Sequence, residues 1–132
     1  MWLSHLERSA PLFALYRDNI PSFINVLLHE VKVLTGKDLI VSLRFDLYEL
    51  PEPMPDKWAY RNVNAVQVII DLVQAEIEKF NLGTYNYNSA NIMVNQTEDR
   101  KMLIVTDDLG EDILVLKTSW LYLNSIGGYT RF

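Results

Sequence analysis

Cysteine is missing from all 132 residues, which excludes disulfides, thiolate metal sites and a cysteine nucleophile at once. Histidine is almost missing: His5 and His29 are the two. An imidazole-rich metal centre or a Ser-His relay therefore has little to be built from. Of the five glycines one pair is adjacent, Gly127-Gly128 near the end of the chain, so no loop can cradle a phosphate. No apolar run approaches ~20 residues, so no transmembrane helix is expected. The N-terminus has no basic stretch leading into an apolar one, so no secretory signal is expected either. Bases are short too, 12 against 17 acids, for a net charge of −5. Such a surface repels a phosphate backbone, so nucleic acid is not an expected partner and a basic protein is a better match. Mild acidity also serves solubility alone. A chain without cysteine is compatible with a reducing cytoplasm.

What is present points to β structure. The apolar share of 49 % suits one globular domain with its own core. From Leu39 to Leu50 the apolar residues Leu39, Val41, Leu43, Phe45 and Leu47 alternate with residues that include Ser42, Arg44, Asp46 and Tyr48, a strand with one dry and one wet face. Leu27, Val31 and Val33 make a similar face over residues 25–34, with His29 on the apolar side and Glu30 and Lys32 opposite. Thr35-Gly-Lys-Asp38 between the two runs reads as a turn, which makes residues 25–50 a hairpin. Pro51-Glu-Pro-Met-Pro55 then halts pairing, and residues 51–64 form a long loop anchored by Trp58. Val66, Val68, Ile70 and Leu72 alternate again. The parity changes near Gln74, the mark of a bulge, a corner or a new strand.

Further strands follow around Ile92, around Ile104 and from Ile113 to Ile126, the last read as one long run, bent in places. Residues 1–24 form an arm with short helical segments divided by Pro11. The expected fold is mainly β, or α+β with a minor helical N-terminal arm. It is one domain over 1–132 whose antiparallel sheet has roughly seven to eight strands, folded as a sandwich or partly open barrel, with residues 65–126 supplying the remaining strands.

Candidates for chemistry are few. No serine lies in a glycine-flanked elbow, and His29 on an apolar strand face suits a hydrogen-bonded rim residue. The carboxylates at Asp107-Asp108 and Glu111-Asp112 lack the spacing of a calcium loop and suit a solvated turn. No catalytic residues, metal or cofactor are therefore assigned. Tyr85, Tyr87 and Trp120 are aromatics with polar neighbours. They fit a protein-binding face or, alternatively, the lining of a small-ligand or carbohydrate pocket.

A set of short motifs resembles one family. Trp2, Ile20-Pro21-Ser22, Leu43-Arg-Phe-Asp-Leu47, Lys57-Trp58, Asn64-Ala-Val-Gln-Val-Ile-Ile-Asp71 and Ile126-Gly-Gly-Tyr129 occur in an order and spacing similar to the immunity protein 50 family, small bacterial proteins encoded beside polymorphic toxins. The segment Glu76–Asn88 departs from the pattern, with Asn81-Leu-Gly-Thr-Tyr85 where a glycine-tryptophan pair is expected. The resemblance implies a cytoplasmic antitoxin that binds a cognate toxin domain, such as a nuclease, and blocks its active site or substrate access. It implies scaffold roles for Pro21, Trp58 and Tyr129. On such a protein the acids Asp107, Asp108, Glu111 and Asp112 are the first candidate toxin-binding patch, and Glu76 with Glu78 the second.

Overall fold

The structure, a computed structural model, describes residues 6–83 and 87–131. Trp2, His5 and Tyr85 lie outside the described residues. The chain order is α1 (Ala10–Tyr16), β1 (Val26–Leu34), β2 (Ile40–Leu47), α2 (Asp56–Tyr60), β3 (Ala65–Val73), β4 (Glu76–Phe80), β5 (Tyr87–Gln96), β6 (Lys101–Thr106), β7 (Asp112–Thr118) and β8 (Trp120–Tyr129). Among the described residues the eight strands form one antiparallel sheet in the order β4-β7-β6-β5-β1-β2-β3-β8, which is not closed into a barrel.

Alternation dictates the faces. Val41, Leu43, Phe45 and Leu47 of β2 stand opposite Leu72, Ile70, Val68 and Val66 of β3. Leu103 and Val105 of β6 stand opposite Leu116 and Leu114 of β7. All of these side chains are buried and belong to a single core cluster, so the two halves of the sheet turn their dry faces inward onto shared apolar contacts. The arm seals this core. Leu12 and Tyr16 of α1 are buried, and Phe23 meets Phe45 edge to face with centroids 5.2 Å apart. The helical segment expected before Pro11 falls largely on residues 1–5, outside the described residues, and Pro11 itself belongs to the second segment, α1. It sits in the first turn of α1, where its missing N–H has no intrahelical partner to lose.

The chain passes between halves at a corner. Val73 of β3 opposes Trp120 of β8, and Glu76 of β4 opposes Lys117 of β7, so one antiparallel ribbon runs through both halves and bends at Gln74 and Ser119. Gln74 adopts φ 54°, the left-handed region, to make the turn. The fully buried Thr118 donates its hydroxyl to the Val73 carbonyl at 2.6 Å, and Arg100 donates Nη2 to the Gln74 carbonyl at 2.6 Å. The run Ile113–Ile126 is thus two strands rather than one, β7 and β8, which lie in different halves. The change of parity at Gln74 marks a separate strand, β4. At the other junction β1 meets β5 through Val26–Ala90 and Leu28–Tyr87.

Two other expectations are corrected. The long proline loop contains α2, begun by Asp56 after Pro55. His29 does not lie on the dry face. β1 shifts register between Leu28 and Glu30, so His29 is the inserted residue of a bulge and its imidazole crosses to the polar side of β2.

Candidate functional site

The strand register decides which acids meet. Asp107-Asp108-Leu-Gly-Glu-Asp112 joins β6 to β7. Asp107 is spent inside this turn: its Oδ1 accepts the backbone N–H of Leu109 at 3.0 Å and of Glu111 at 2.9 Å. Gly110 supplies the positive φ of 81° that closes the turn. Asp108, Glu111 and Asp112 are exposed, and among the described residues none of them makes an ion pair. Leu109 stands between them at 83 % exposure. The turn is therefore a fixed loop that holds three unneutralised carboxylates around an apolar tip.

Glu76 and Glu78 belong to another place. They lie on β4 toward the far end of β7, Glu76 roughly 17 Å and Glu78 roughly 12 Å along the strand from Asp112. Glu76 is bound by Arg100 at 2.9 Å and Glu78 by Lys117 at 2.9 Å. The hydrogen bond and charge of Glu78 raise the Lys117 ammonium above its ordinary pKa. The structure thus keeps the two candidate patches apart, and among the described residues the first has no ion-pair partner.

Between them lies the outward face of the β5-β6-β7 sheet. Pairing sets Met93 opposite Ile104 and Ile104 opposite Val115, one apolar row across three strands. A flanking row holds Asn95, Met102 and Lys117, and the other holds Asn91, Thr106 and Asp112. Met93 is 45 % exposed, and Met102, Ile104 and Val115 are half-buried. Residues 76–118 hold eight acids and four bases, so this half of the molecule carries −4 of the net −5.

The opposite half is built differently. Asp46, read as part of a wet face, is fully buried. Its Oδ2 accepts His29 Nε2 at 2.8 Å and the Tyr129 hydroxyl, with Arg131 Nη2 at 3.7 Å, while its Oδ1 has no partner. Burial and the hydrogen bond to Asp46 raise the Tyr129 phenol above its ordinary pKa. This cluster ties β8 to the middle of the sheet through Tyr129 and Asp46. Asn64 completes the tie by accepting the Arg131 N–H at 2.6 Å and donating to the Arg131 carbonyl at 2.8 Å. Around the same end Trp58 and Val63 close on Gly128 so tightly that a Cβ there would lie 2.7–2.8 Å from them. Pro21 is buried as well. Pro21, Trp58, Asn64, Gly128 and Tyr129 of the sequence motifs therefore pack or tie one end of the sheet.

Sequence reasoning missed the Asp46 cluster because strand alternation marks Asp46 as solvent-facing. The apolar row of Met93, Ile104 and Val115 was missed because β6 and β7 are apolar on both faces, which hides the outward set within the core pattern. The aromatic pocket reading fares poorly. Tyr87 on β5 accepts a hydrogen bond from the Gly83 N–H and pairs with Leu28 of β1, whereas Trp120 opens β8 opposite Val73 at the corner, with three strands between β5 and β8. Among the described residues no three acids and histidines converge to hold a metal ion, and no helix is long and apolar enough to cross a membrane.

A family model described as Immunity protein 50 matches residues 10–129, most of the chain. Comparison with curated proteins and with solved structures returns no match in either case.

Proposed function

Because the chain belongs to the immunity protein 50 family, we propose that it binds a cognate toxin domain of a contact-dependent or polymorphic toxin system and neutralises it by covering the active site or the path of the substrate. The protein works in the cytoplasm by occupancy rather than by turnover. The observation that carries the reading is the charge asymmetry: −4 of the net −5 lies in residues 76–118, and the β6–β7 turn offers Asp108, Glu111 and Asp112 without counter-charges. A nuclease toxin, whose substrate is a polyanion, presents a basic cleft, and a rigid acidic surface meets such a cleft with complementary potential. Asp107 shapes the turn from within, and Glu76 and Glu78 contribute less because Arg100 and Lys117 already neutralise them.

The test is co-expression with the toxin domain encoded beside the gene, followed by co-purification and stopped-flow association. The triple variant D108K/E111K/D112K is expected to associate at least about tenfold more slowly and with a flatter salt dependence. An unchanged rate and salt dependence would remove the turn from the interface. Failure of the wild-type chain to co-purify with the toxin or to protect cells from it would remove the function.

A further inference from the structure

The acids set how quickly a partner arrives, but charge at a rim seldom holds a complex together. We infer that the outward apolar row Met93–Ile104–Val115, extended by Met102, is the anchor of the interface, and that its partner is a protein face with an apolar protrusion ringed by lysine or arginine. This inference rests on the toxin-binding reading and deepens it.

Three observations support it. First, the row is continuous because the strand register makes it so: each side chain stands directly opposite the next across three strands. Directly opposed residues on one face of a sheet have Cβ atoms about 5 Å apart, so the row presents one surface rather than scattered contacts. Second, its rim is acidic toward the β6–β7 turn, while Lys79 opposite Val115 and Lys117 opposite Met102 bound the other side. Asp112 lies in the adjacent row and leads into the turn with Asp108 and Glu111, so a partner seated on the row brings its own cations against those carboxylates. An apolar centre with a charged rim is the arrangement in which a few desolvated contacts hold the complex while the rim excludes water.

Third, the outward face of the other half is already committed to internal bonds. Ser42 donates to Asp71 at 2.5 Å, Asn124 donates to the same carboxylate at 2.7 Å, Arg44 reaches Gln67 at 3.2 Å, and Arg8 covers the Tyr122 ring at 5.0 Å. Exposed apolar side chains of that half, such as Ile24, Leu34 and Tyr60, lie at strand ends, in loops and on α2 rather than in a row across its strands, and residues outside 76–118 sum to −1, so that half offers a basic partner little net attraction. Methionine suits the anchor, because its unbranched, polarisable side chain adapts to the shape that arrives.

The experiment uses the wild-type complex with the toxin domain encoded beside the gene. Hydrogen peroxide oxidises exposed methionine, and peptide mass spectrometry reads the rate at Met93 in the free chain and in the complex. Complex formation is expected to slow oxidation of Met93 at least tenfold. In parallel, the variant M93Q/I104T/V115T keeps strand propensity while removing the apolar surface. It is expected to dissociate at least about thirtyfold faster, with its association rate and salt dependence retained. A Y122S change on the other half is expected to leave dissociation unchanged. Equal oxidation of Met93 in free and bound protein would overturn the anchor while leaving the toxin-binding reading intact. Absence of any complex with the wild-type chain would overturn that reading, and the anchor with it.

Discussion

Removing the Asp46 carboxylate should cost this protein about 3 kcal/mol of stability, and the magnitude follows from what surrounds it. The side chain has no solvent exposure and receives two hydrogen bonds at Oδ2, from His29 and from the Tyr129 hydroxyl. Hydrogen bonds to a charged group contribute about 1.5–3 kcal/mol each. His29 and Arg131 are 26 % and 31 % accessible, so both regain water when the carboxylate goes, and the Arg131 contact at 3.7 Å adds little. Against the loss stands a gain. The buried Oδ1 has no partner, and deleting it recovers roughly 1–2 kcal/mol of desolvation. Asp46→Ala is therefore expected to lower stability by about 3 kcal/mol, equivalent to about 10 °C in Tm for a domain of this size.

Asp46→Asn, which keeps an acceptor, should lose about half as much. Asp46→Leu should lie close to the wild type, because an apolar residue replaces a costly buried charge. The assay is equilibrium urea unfolding, with the midpoint falling and the slope unchanged. A loss below about 1 kcal/mol for Asp46→Ala, or no coupling between Asp46→Ala and Tyr129→Phe in a double-mutant cycle, would refute the view that this cluster holds the C-terminal strand.

Two further perturbations probe the same scaffold. Gly128→Ala places a methyl group 2.7 Å from Val63 Cγ1 and 2.8 Å from the Trp58 ring, so it should destabilise by about 2 kcal/mol, read as a lower urea midpoint, and Trp58→Phe in the same chain should recover part of that loss. Alkali should weaken the fold through its buried phenols. Burial, and secondarily Glu49, pushes Tyr16 well above the usual tyrosine range, and burial with the Asp46 hydrogen bond raises Tyr129. The native state then keeps protons that the unfolded chain releases near pH 10, so the stability is complete below that pH and declines as pH rises beyond it. Tyr16→Phe is expected to flatten the decline in urea midpoints measured from pH 9 upward.

Much of the fold was readable from alternation. β2 and β3 have one dry face each, so Val41 to Leu47 and Val66 to Leu72 declare both strand type and core side. The first hairpin and the stop in pairing at the prolines were legible for the same reason: each is a local rule acting on a few residues, whereas the single helical turn of α2 inside the proline loop was not. What stayed hidden is non-local. Nothing local says that β7 and β8 separate at Ser119, because the break is enforced by a corner whose ties come from Thr118 and Arg100. The bulge at His29 reverses a face without changing composition, and it took Asp46 with it.

The candidate site divides in the same way. The turn at 107–112 was visible as a run of acids, whereas the apolar row beside it exists through register alone. Glu76 and Glu78 rank second to the turn acids in the sequence, and what alternation could not show is that Arg100 and Lys117, distant in sequence, neutralise them.

The central claim is that the exterior of this protein does the work by occupying a toxin. The most direct measurement is a titration of the toxin's activity with the purified chain, followed by dissociation of the complex and mass analysis of the toxin. Activity should fall linearly to zero at a fixed molar ratio, and the toxin recovered from the complex should be fully active and chemically unchanged. Loss of activity at a small fraction of that ratio, with the recovered toxin covalently altered, would contradict the account.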